Sequence, residues 1–242
     1  LPAITAALGA THTEVKLTLT LYFVGFCLSQ LIYGPMSDAF GRRKVILSGL
    51  VIVMLGSLMC AFSNEIAFLV IGRFIQGCGT GAGFSLSRAI IRDVFEGKEM
   101  SRVASITSNF TAFIPAAAPV IGGYLQLYVG WHANFILLLV LSFFCMAFVF
   151  KYFPETNSNK DRSAIHPKVL GKNYYNLLKD MSFMSNSLLS GIMYGVLFMY
   201  LTLSPFLFQG VLHLNAVEFG WLGVFTGVGL ILGSYLNMCL LK

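Results

Sequence analysis

Long apolar segments separated by short polar breaks run along the chain. Each segment holds about 20 residues, which is long enough for an α-helix to cross the ~30 Å hydrocarbon layer of a bilayer. None shows the strict alternation that is typical of membrane-spanning strands. The pattern therefore predicts an all-α membrane protein with about seven transmembrane helices, at 17–36, 45–62, 66–88, 101–126, 132–153, 182–208 and 217–241.

Basic residues are concentrated in alternate breaks, and this predicts the orientation of the helices. The opposite set of breaks holds only Lys16. Because Lys and Arg favour cytoplasmic loops, we expect the basic breaks to be cytoplasmic. Trp131 and Trp221 lie at the opposite ends of their segments. Since Trp rings favour the membrane–water interface, we expect both at the outer interface. The basic breaks hold Arg42, Arg43, Lys44, Arg92, Lys98, Arg102, Lys151, Lys160, Arg162, Lys168, Lys172, Lys179 and Lys242.

Composition excludes several classes of protein. Of the 242 residues, 57% are hydrophobic and 11% charged, whereas soluble domains carry about 25% charged residues. The net charge of +6 is spread over the breaks, so we expect no nucleic-acid partner. The five cysteines contain no C-x-x-C pair, and the four histidines show neither metal-ligand spacing nor a nucleophile partner. We predict no metal site and no enzyme activity.

A longer polar break at 154–181 divides the chain. It separates five predicted helices in residues 1–153 from two in residues 182–242. The part at 172–181 has Tyr174, Leu177, Leu178 and Met181 on one face of a helix. This part is either a helix at the membrane surface or a solvated linker, and the sequence fits both.

Arg73 is the one ionised side chain well inside a predicted helix. A charge at that depth costs a few kcal/mol, so such residues usually face a polar cavity or a partner. Gln76, one turn further on, supports a polar face. We predict that both residues line a cavity; the alternative is an arginine that snorkels to the helix end near Glu65.

Glycines alternate after this arginine, in the stretch 77–83. A phosphate-binding loop needs a preceding strand or a G-K-[ST] ending, and neither is present. The pairs Gly77/Gly81 and Gly79/Gly83 instead have small-xxx-small spacing, which predicts close helix packing.

The segment 101–126 contains prolines and glycines at positions that predict a bent, tightly packed helix. Pro115 and Pro119 each remove a backbone hydrogen bond, and Gly122 and Gly123 follow. Such a helix suits a protein that alternates between two states; a static kink is the alternative. Polar and aromatic side chains in the apolar segments are candidates for a substrate cavity: Tyr22, Phe26, Gln30, Asn109 and Phe113.

The break at 34–44, GPMSDAFGRRK, packs charge and glycine into eleven residues. Gly34 and Gly41 predict a tight turn and close helix contact, and Arg42 and Arg43 anchor the break on the inside. We expect Asp38 to meet a helix N-terminus or a base such as Arg88 or Arg92.

This break resembles the signature G-x-L-x-D-R-x-G-R-[KR] of the major facilitator superfamily, with Gly34, Asp38, Gly41, Arg42 and Arg43 in place. It departs from the signature at Met36 and Ala39. GRFIQGCGTGAG (72–83) resembles the fourth-helix motif of the family, and APVIGG (118–123) resembles its fifth-helix antiporter motif. With SRAIIRDVFEGKEMSR (87–102), the chain is similar to drug:proton antiporters of the bicyclomycin-resistance type.

The resemblance implies a twelve-helix fold, of which this chain would hold the second to eighth helices, lacking most of the first and the last four. Residues 1–153 would belong to the N-terminal half, 154–181 to the cytoplasmic central loop and 182–242 to the C-terminal half. The motif at 34–43 would latch the halves in one state, and Arg73 and Gln76 would serve proton coupling.

The implied function is export of small amphipathic compounds in exchange for protons across a bacterial inner membrane. The proton gradient would supply the energy, so we expect no cofactor. We expect a monomer whose partners are a small-molecule substrate, protons and the lipid bilayer. The alternatives are a proton-coupled transporter of a small metabolite, such as a sugar, amino acid or organic acid, and a membrane protein that does not transport.

Overall fold

The computed structural model describes residues 2–157 and 160–240, without the side chains at 108, 109, 112, 115, 116, 226, 230–232 and 234–240. The described residues form nine α-helices, a 3-10 helix at Arg162–Ile165 and a π-helix at Phe206–Val211. The α-helices are α1 (Pro2–Leu8), α2 (His12–Phe40), α3 (Arg42–Ala61), α4 (Ile66–Val94), α5 (Gly97–Tyr128), α6 (His132–Tyr152), α7 (Pro167–Lys179), α8 (Met181–Pro205) and α9 (Ala216–Leu240).

All seven predicted helices are present, and several extend beyond their apolar segments. By length and composition, α2, α3, α4, α6 and α8 with its π-helical extension can each cross a membrane. α5 and α9, of 32 and 25 residues, occupy the other two predicted positions. α2 starts early because the Thr11 hydroxyl accepts from the Glu14 N–H at 3.2 Å while Glu14 accepts from the Thr11 N–H at 2.8 Å. The structure confirms an all-α membrane protein.

α4 lies between α2 and α3 and packs closely against both. A Cβ on Gly77 would overlap the carbonyl of Tyr22 in α2, and a Cβ on Gly79 would lie 2.5 Å from the nitrogen of Val53 in α3. The missing side chains therefore let the backbones approach. Close packing is confirmed at these two glycines and at Gly81, where a Cβ would overlap the Ser29 hydroxyl of α2. Around Gly83, no described atom lies within 4 Å of such a Cβ.

α5 packs mainly against α9, whereas α6 packs against α3. A Cβ on Gly123 would overlap the carbonyl of Ala216, and one on Gly220 would lie 2.7 Å from the carbonyl of Pro119. The end of α5 and the start of α9 thus touch backbone to backbone. In α8, by contrast, only Ser204 and Pro205 are buried among the described residues.

Trp131 is buried and does not lie at a lipid interface. It is 7% exposed, and its ring centroid lies 6.0 Å from that of Phe135. Ile4 of α1 and Val15 of α2 belong to the same buried cluster, together with Ala10, Cys60, Ala61 and Leu69. The prediction of an interfacial ring is therefore wrong for Trp131, because α1 and α2 pack over it, while Trp221 is 54% exposed.

The break at 154–181 contains helical structure, and its second half is a helix rather than a linker without secondary structure. α7 starts at Pro167, five residues before the predicted start, and proline is well suited to a first helical position. α7 ends at Lys179, and the Asp180 carboxylate then caps α8 by accepting from the Ser182 N–H at 2.9 Å.

Candidate functional site

The break between α2 and α3 is a single residue, Gly41. Its φ of +101° lies in the region that favours glycine. α2 runs on through Gly34 and ends at Phe40. Gly34 therefore takes no part in the turn, and no described atom lies within 4 Å of a Cβ placed on it. The predicted turn and close contact are wrong for Gly34 because the helix continues through the charged stretch.

Arg42, the first residue of α3, binds two carboxylates. Its Nη1 lies 2.5 Å from Asp38 Oδ1, and its Nε lies 2.8 Å from Asp93 Oδ2 at the end of α4. The residue is 8% exposed. We expect from the sequence that Asp38 meets a helix N-terminus or a base such as Arg88 or Arg92; it pairs with a base at the start of α3, Arg42, because the one-residue turn brings this arginine within reach first.

The residues that follow α6 bind the same turn. Glu155 Oε1 accepts from the Arg42 backbone N–H at 2.8 Å. The carbonyl of Asp38 accepts from Asn157 Nδ2 at 3.1 Å and from the Asp161 N–H at 3.0 Å. These bonds satisfy backbone groups that the end of one helix and the start of the next leave unpaired. We call Asp38, Arg42, Asp93 and Glu155 the turn cluster.

Contacts of Arg43 extend the turn cluster to α6. Its guanidinium donates to the Phe150 carbonyl and lies 5.7 Å from the centroid of the Phe150 ring. Nearby, Asp161 Oδ1 accepts from the Ser163 N–H at 2.8 Å, and hydrogen bonds from Ser163 hold the pKa of this carboxyl below its ordinary value. α2, α3, α4, α6 and the break after α6 therefore meet at one polar site.

Sequence reasoning missed Asp93 and Glu155 as members of this site. They lie 51 and 113 residues from Arg42, so spacing along the chain carried no signal. The available signal was their charge: each is an acid close to a basic break, where a neighbouring arginine needs a counterion.

Arg73 in α4 is surrounded by an amide and two aromatic rings. Its Nη1 donates to Gln76 Oε1 at 3.1 Å, and Gln76 Nε2 donates to Ser57 Oγ at 2.8 Å. The guanidinium carbon lies 4.4 Å from the ring centroid of Phe135 and 6.0 Å from that of Tyr22. The ion pairs among the described residues are Arg42–Asp38 and Arg42–Asp93, so Arg73 takes part in none of them. Its buried Nε has no hydrogen-bond partner among the described residues. Dipoles and ring faces stabilise this cation in place of a carboxylate.

The Arg73 guanidinium borders a cavity of about 330 Å³ that is lined by α2, α3, α4 and α6. Apolar walls with a few polar groups, at this volume, are typical of small-molecule sites. Because the Arg73 side chain lines this cavity, it does not extend to the helix end near Glu65 as the snorkelling alternative requires. α3 and α6 contribute walls that the sequence did not predict: Ile46, Leu50, Val53, Leu138 and Ser142. The sequence pattern of an apolar helix is the same whether a residue faces a cavity or lipid.

Of the five side chains predicted to line a substrate cavity, Tyr22 lines this one. Phe26 stacks on Tyr22, with ring centroids 6.5 Å apart, but lies outside the lining. Gln30 lies about two turns further along α2 and does not line it, and Phe113 is 59% exposed on α5. The side chain of Asn109 lies outside the described residues.

The segment of α5 with the predicted antiporter motif faces α9. α5 runs unbroken through this segment. A second cavity, of about 180 Å³, lies between α5, α6, the π-helix and α9. The side chain of Pro115 lies outside the described residues. The cavity is lined by Pro119, Gly122, Gly123 and the carboxamides of Gln126, Asn134 and Gln209, among others.

Comparison with known proteins connects these features to one family. The sequence matches the Major Facilitator Superfamily over residues 1–238. It is 38% identical over 239 residues to the Uncharacterized MFS-type transporter YdgK of Bacillus subtilis, covering 97% of this chain and 59% of that protein. A Bicyclomycin resistance protein homolog of Haemophilus influenzae is 29% identical, covering 95% and 58%. A Chloramphenicol resistance protein of Pseudomonas aeruginosa is 28% identical, covering 95% and 54%.

The chain thus spans less than two thirds of the length of these curated relatives. Among solved structures it is similar to the crystal structure of the human organic anion transporter MFSD10 (TETRAN), with a TM-score of 0.60 and 21% identity. That similarity covers 88% of this chain and 53% of the other, and it concerns the fold alone. Because the family match extends over almost every residue and the helices agree with it, the chain belongs to the Major Facilitator Superfamily.

Proposed function

We propose that this protein is a secondary transporter of a bacterial inner membrane that exports small amphipathic compounds in exchange for protons. Relatives named for resistance to bicyclomycin and to chloramphenicol support an export function. The distribution of Lys and Arg supports a cytoplasmic location for the turn cluster. The proton gradient would supply the free energy, so no cofactor is required.

The observation that carries this proposal is the Arg73 cation beside the cavity of about 330 Å³. A guanidinium stays protonated at physiological pH, so Arg73 does not itself release the transported proton. Its charge favours the ionised form of any carboxyl group that enters the cavity and disfavours a second cation there. The described lining supplies no carboxyl group of its own. Protonation of a carboxyl group that enters the cavity and binding of a substrate there would influence each other through Arg73, as coupled exchange requires.

The turn cluster would hold one of the two conformational states. Arg42 joins the ends of α2 and α4, and Glu155 joins the start of α3 to the residues after α6. Movement of the second half against the first would displace the residues after α6 that lead into it, and would break the hydrogen bonds that Glu155, Asn157 and Asp161 make with this turn. Such bonds persist or break as a group, which is the behaviour of a latch between two states.

The contact of α5 with α9 would be the surface on which the two halves move. Backbone touches backbone at Gly123 and Gly220, so no side chain of these two residues stands between the helices. A rocking movement of one half against the other is the general mode of such transporters.

Inverted membrane vesicles from cells that express the native gene test the role of Arg73. Proton release from acidified vesicles is followed on addition of chloramphenicol or bicyclomycin. We expect Arg73→Ala to reduce drug-dependent proton release to background, and Arg73→Lys to keep part of it, because an ammonium replaces the charge but not the guanidinium geometry.

The matched control is Arg102→Ala, which removes an exposed arginine from α5. This variant is expected to keep the activity of the unmodified protein. Normal drug-dependent proton release by a well-expressed Arg73→Ala variant would refute the role of Arg73. Drug efflux that persists after the proton gradient is collapsed would refute proton exchange itself.

A further inference from the structure

α7 carries its lysines on one side. Lys168, Lys172 and Lys179 project within about 40° of one another at 3.6 residues per turn, and all three are exposed. Neither ion pair within the described residues involves them. Lys179 instead places its ammonium 4.5 Å from the ring centroid of Tyr175. The stripe is therefore a row of cations without carboxylate partners among the described residues.

The opposite side of α7 is apolar and only partly covered by protein. Leu170 and Tyr174 are half-buried, and the Tyr174 hydroxyl donates to the Leu31 carbonyl of α2. Leu177 and Leu178 are 41% and 63% exposed. One part of this side thus holds the helix against α2, and the other part leaves leucines uncovered.

The position of α7 in the chain puts it at the boundary between membrane and water. Only Asp180 separates its last residue from α8, which is apolar and long enough to cross a membrane. The Asp180 carboxylate caps α8 at Ser182 and Phe183, at 2.9 and 3.2 Å, so the helix starts there without a flexible connection. A helix at such a boundary places apolar side chains among acyl chains and basic ones among headgroups.

The local charge is strongly positive. Residues 160–179 contain five bases and one acid, and that acid, Asp161, already accepts a hydrogen bond from Ser163. Clusters of four to eight bases next to a transmembrane helix attract anionic lipids through the negative potential of the membrane surface. A zwitterionic headgroup offers no net charge to such a cluster.

We propose that α7 binds anionic phospholipids: Lys168, Lys172 and Lys179 bind headgroup phosphates of acidic lipids, while Leu177 and Leu178 contact the acyl chains. Binding would add a lipid-dependent anchor to the residues that lead from the turn cluster into α8. The proposal does not depend on which compound is transported.

The protein in nanodiscs of phosphatidylcholine, with or without phosphatidylglycerol, tests this. Native mass spectrometry counts retained phosphatidylglycerol, and hydrogen exchange reports protection of α7. The test variant is Lys168→Gln/Lys172→Gln/Lys179→Gln. Its matched control, Lys98→Gln/Arg102→Gln/Lys151→Gln, removes the same charge from exposed positions outside α7.

We expect phosphatidylglycerol to slow exchange in α7, and the test variant to bind it on the order of 100-fold more weakly. The control should bind as the unmodified protein does, and high salt should weaken binding. If the triple variant does not fold, Lys172→Glu with unchanged helicity and elution serves instead. Equal loss in both triple variants, no difference between the two lipid compositions, or equal protection of α7 by free glycerol phosphate would each overturn the proposal.

Discussion

Arg42 and Arg73 are two arginines in one helical bundle with opposite surroundings. Arg42 lies between the carboxylates of Asp38 and Asp93, at 2.5 and 2.8 Å. Arg73 has an amide, two aromatic rings and an unpartnered Nε among the described residues. The first site is saturated with counterions, while the second keeps a net positive charge beside a cavity.

This difference suggests that Arg42 stabilises the fold, whereas the charge of Arg73 remains available to interact with a bound substrate. Removing Arg42 leaves two carboxylates without their ion-pair partner, which lowers the stability of the fold. Removing a cation without a counterion relieves a desolvation cost, so stability changes less and function changes more. The following substitutions test this distinction, from the largest expected effect on stability to the smallest.

Arg42→Ala is expected to lower the free energy of unfolding by about 2–3 kcal/mol. This is less than the 3–5 kcal/mol for breaking a fully buried pair, because the Asp38 side chain is 49% exposed. Arg73→Ala should cost about 1 kcal/mol or less. Reversible unfolding in mixed micelles measures both, and the reverse order would contradict the comparison.

Gly41→Ala is expected to cost about 1–2 kcal/mol, because alanine is strained at a φ of +101° and its Cβ would overlap the Glu155 carboxylate. The matched control is Gly34→Ala in the same motif. It adds a Cβ inside a helix where no described atom is near, and should be neutral or stabilising by about 0.5–1 kcal/mol. Equal effects at both glycines would show that the turn is not where strain is stored.

Glu155→Gln is expected to have the smallest effect, about 0.5 kcal/mol, because the amide oxygen still accepts from the Arg42 N–H and only the charge at the start of α3 is lost. Hydrogen exchange of the first amides of α3 should accelerate slightly, and the difference should shrink at high salt. Glu155→Ala removes the acceptor as well and should cost more. A larger effect of the Gln variant than of the Ala variant would exclude a capping role.

Much of the fold was predictable because membrane helices satisfy their own backbone within one segment. The apolar runs therefore marked all seven long helices, and α4 could be expected to pack closely from the spacing of Gly77 and Gly79. The helix ends were less predictable: α2 continues through Gly34 and Asp38 because helical hydrogen bonds do not require apolar side chains.

The candidate sites were predictable in part. A lone arginine inside an apolar helix is costly, so Arg73 and Gln76 stood out from the sequence. The cavity walls did not, because Leu50 or Leu138 would have the same pattern if it faced lipid. The prediction of an interfacial ring for Trp131 was wrong because its burial depends on α1 and α2. The sequence pattern around residue 131 carries no information about these distant helices.

The sequence by itself determined the class of protein, the number of long helices and the places where charge enters them, since these follow from hydropathy along one dimension. Only the tertiary structure decided that Arg42 pairs with Asp38 and Asp93, that Glu155 caps α3 and that Arg73 turns to a cavity. Those partners come from up to 113 residues away. Which of many distant acids and rings becomes a neighbour depends on how helix surfaces pack, and packing is a property of the whole bundle.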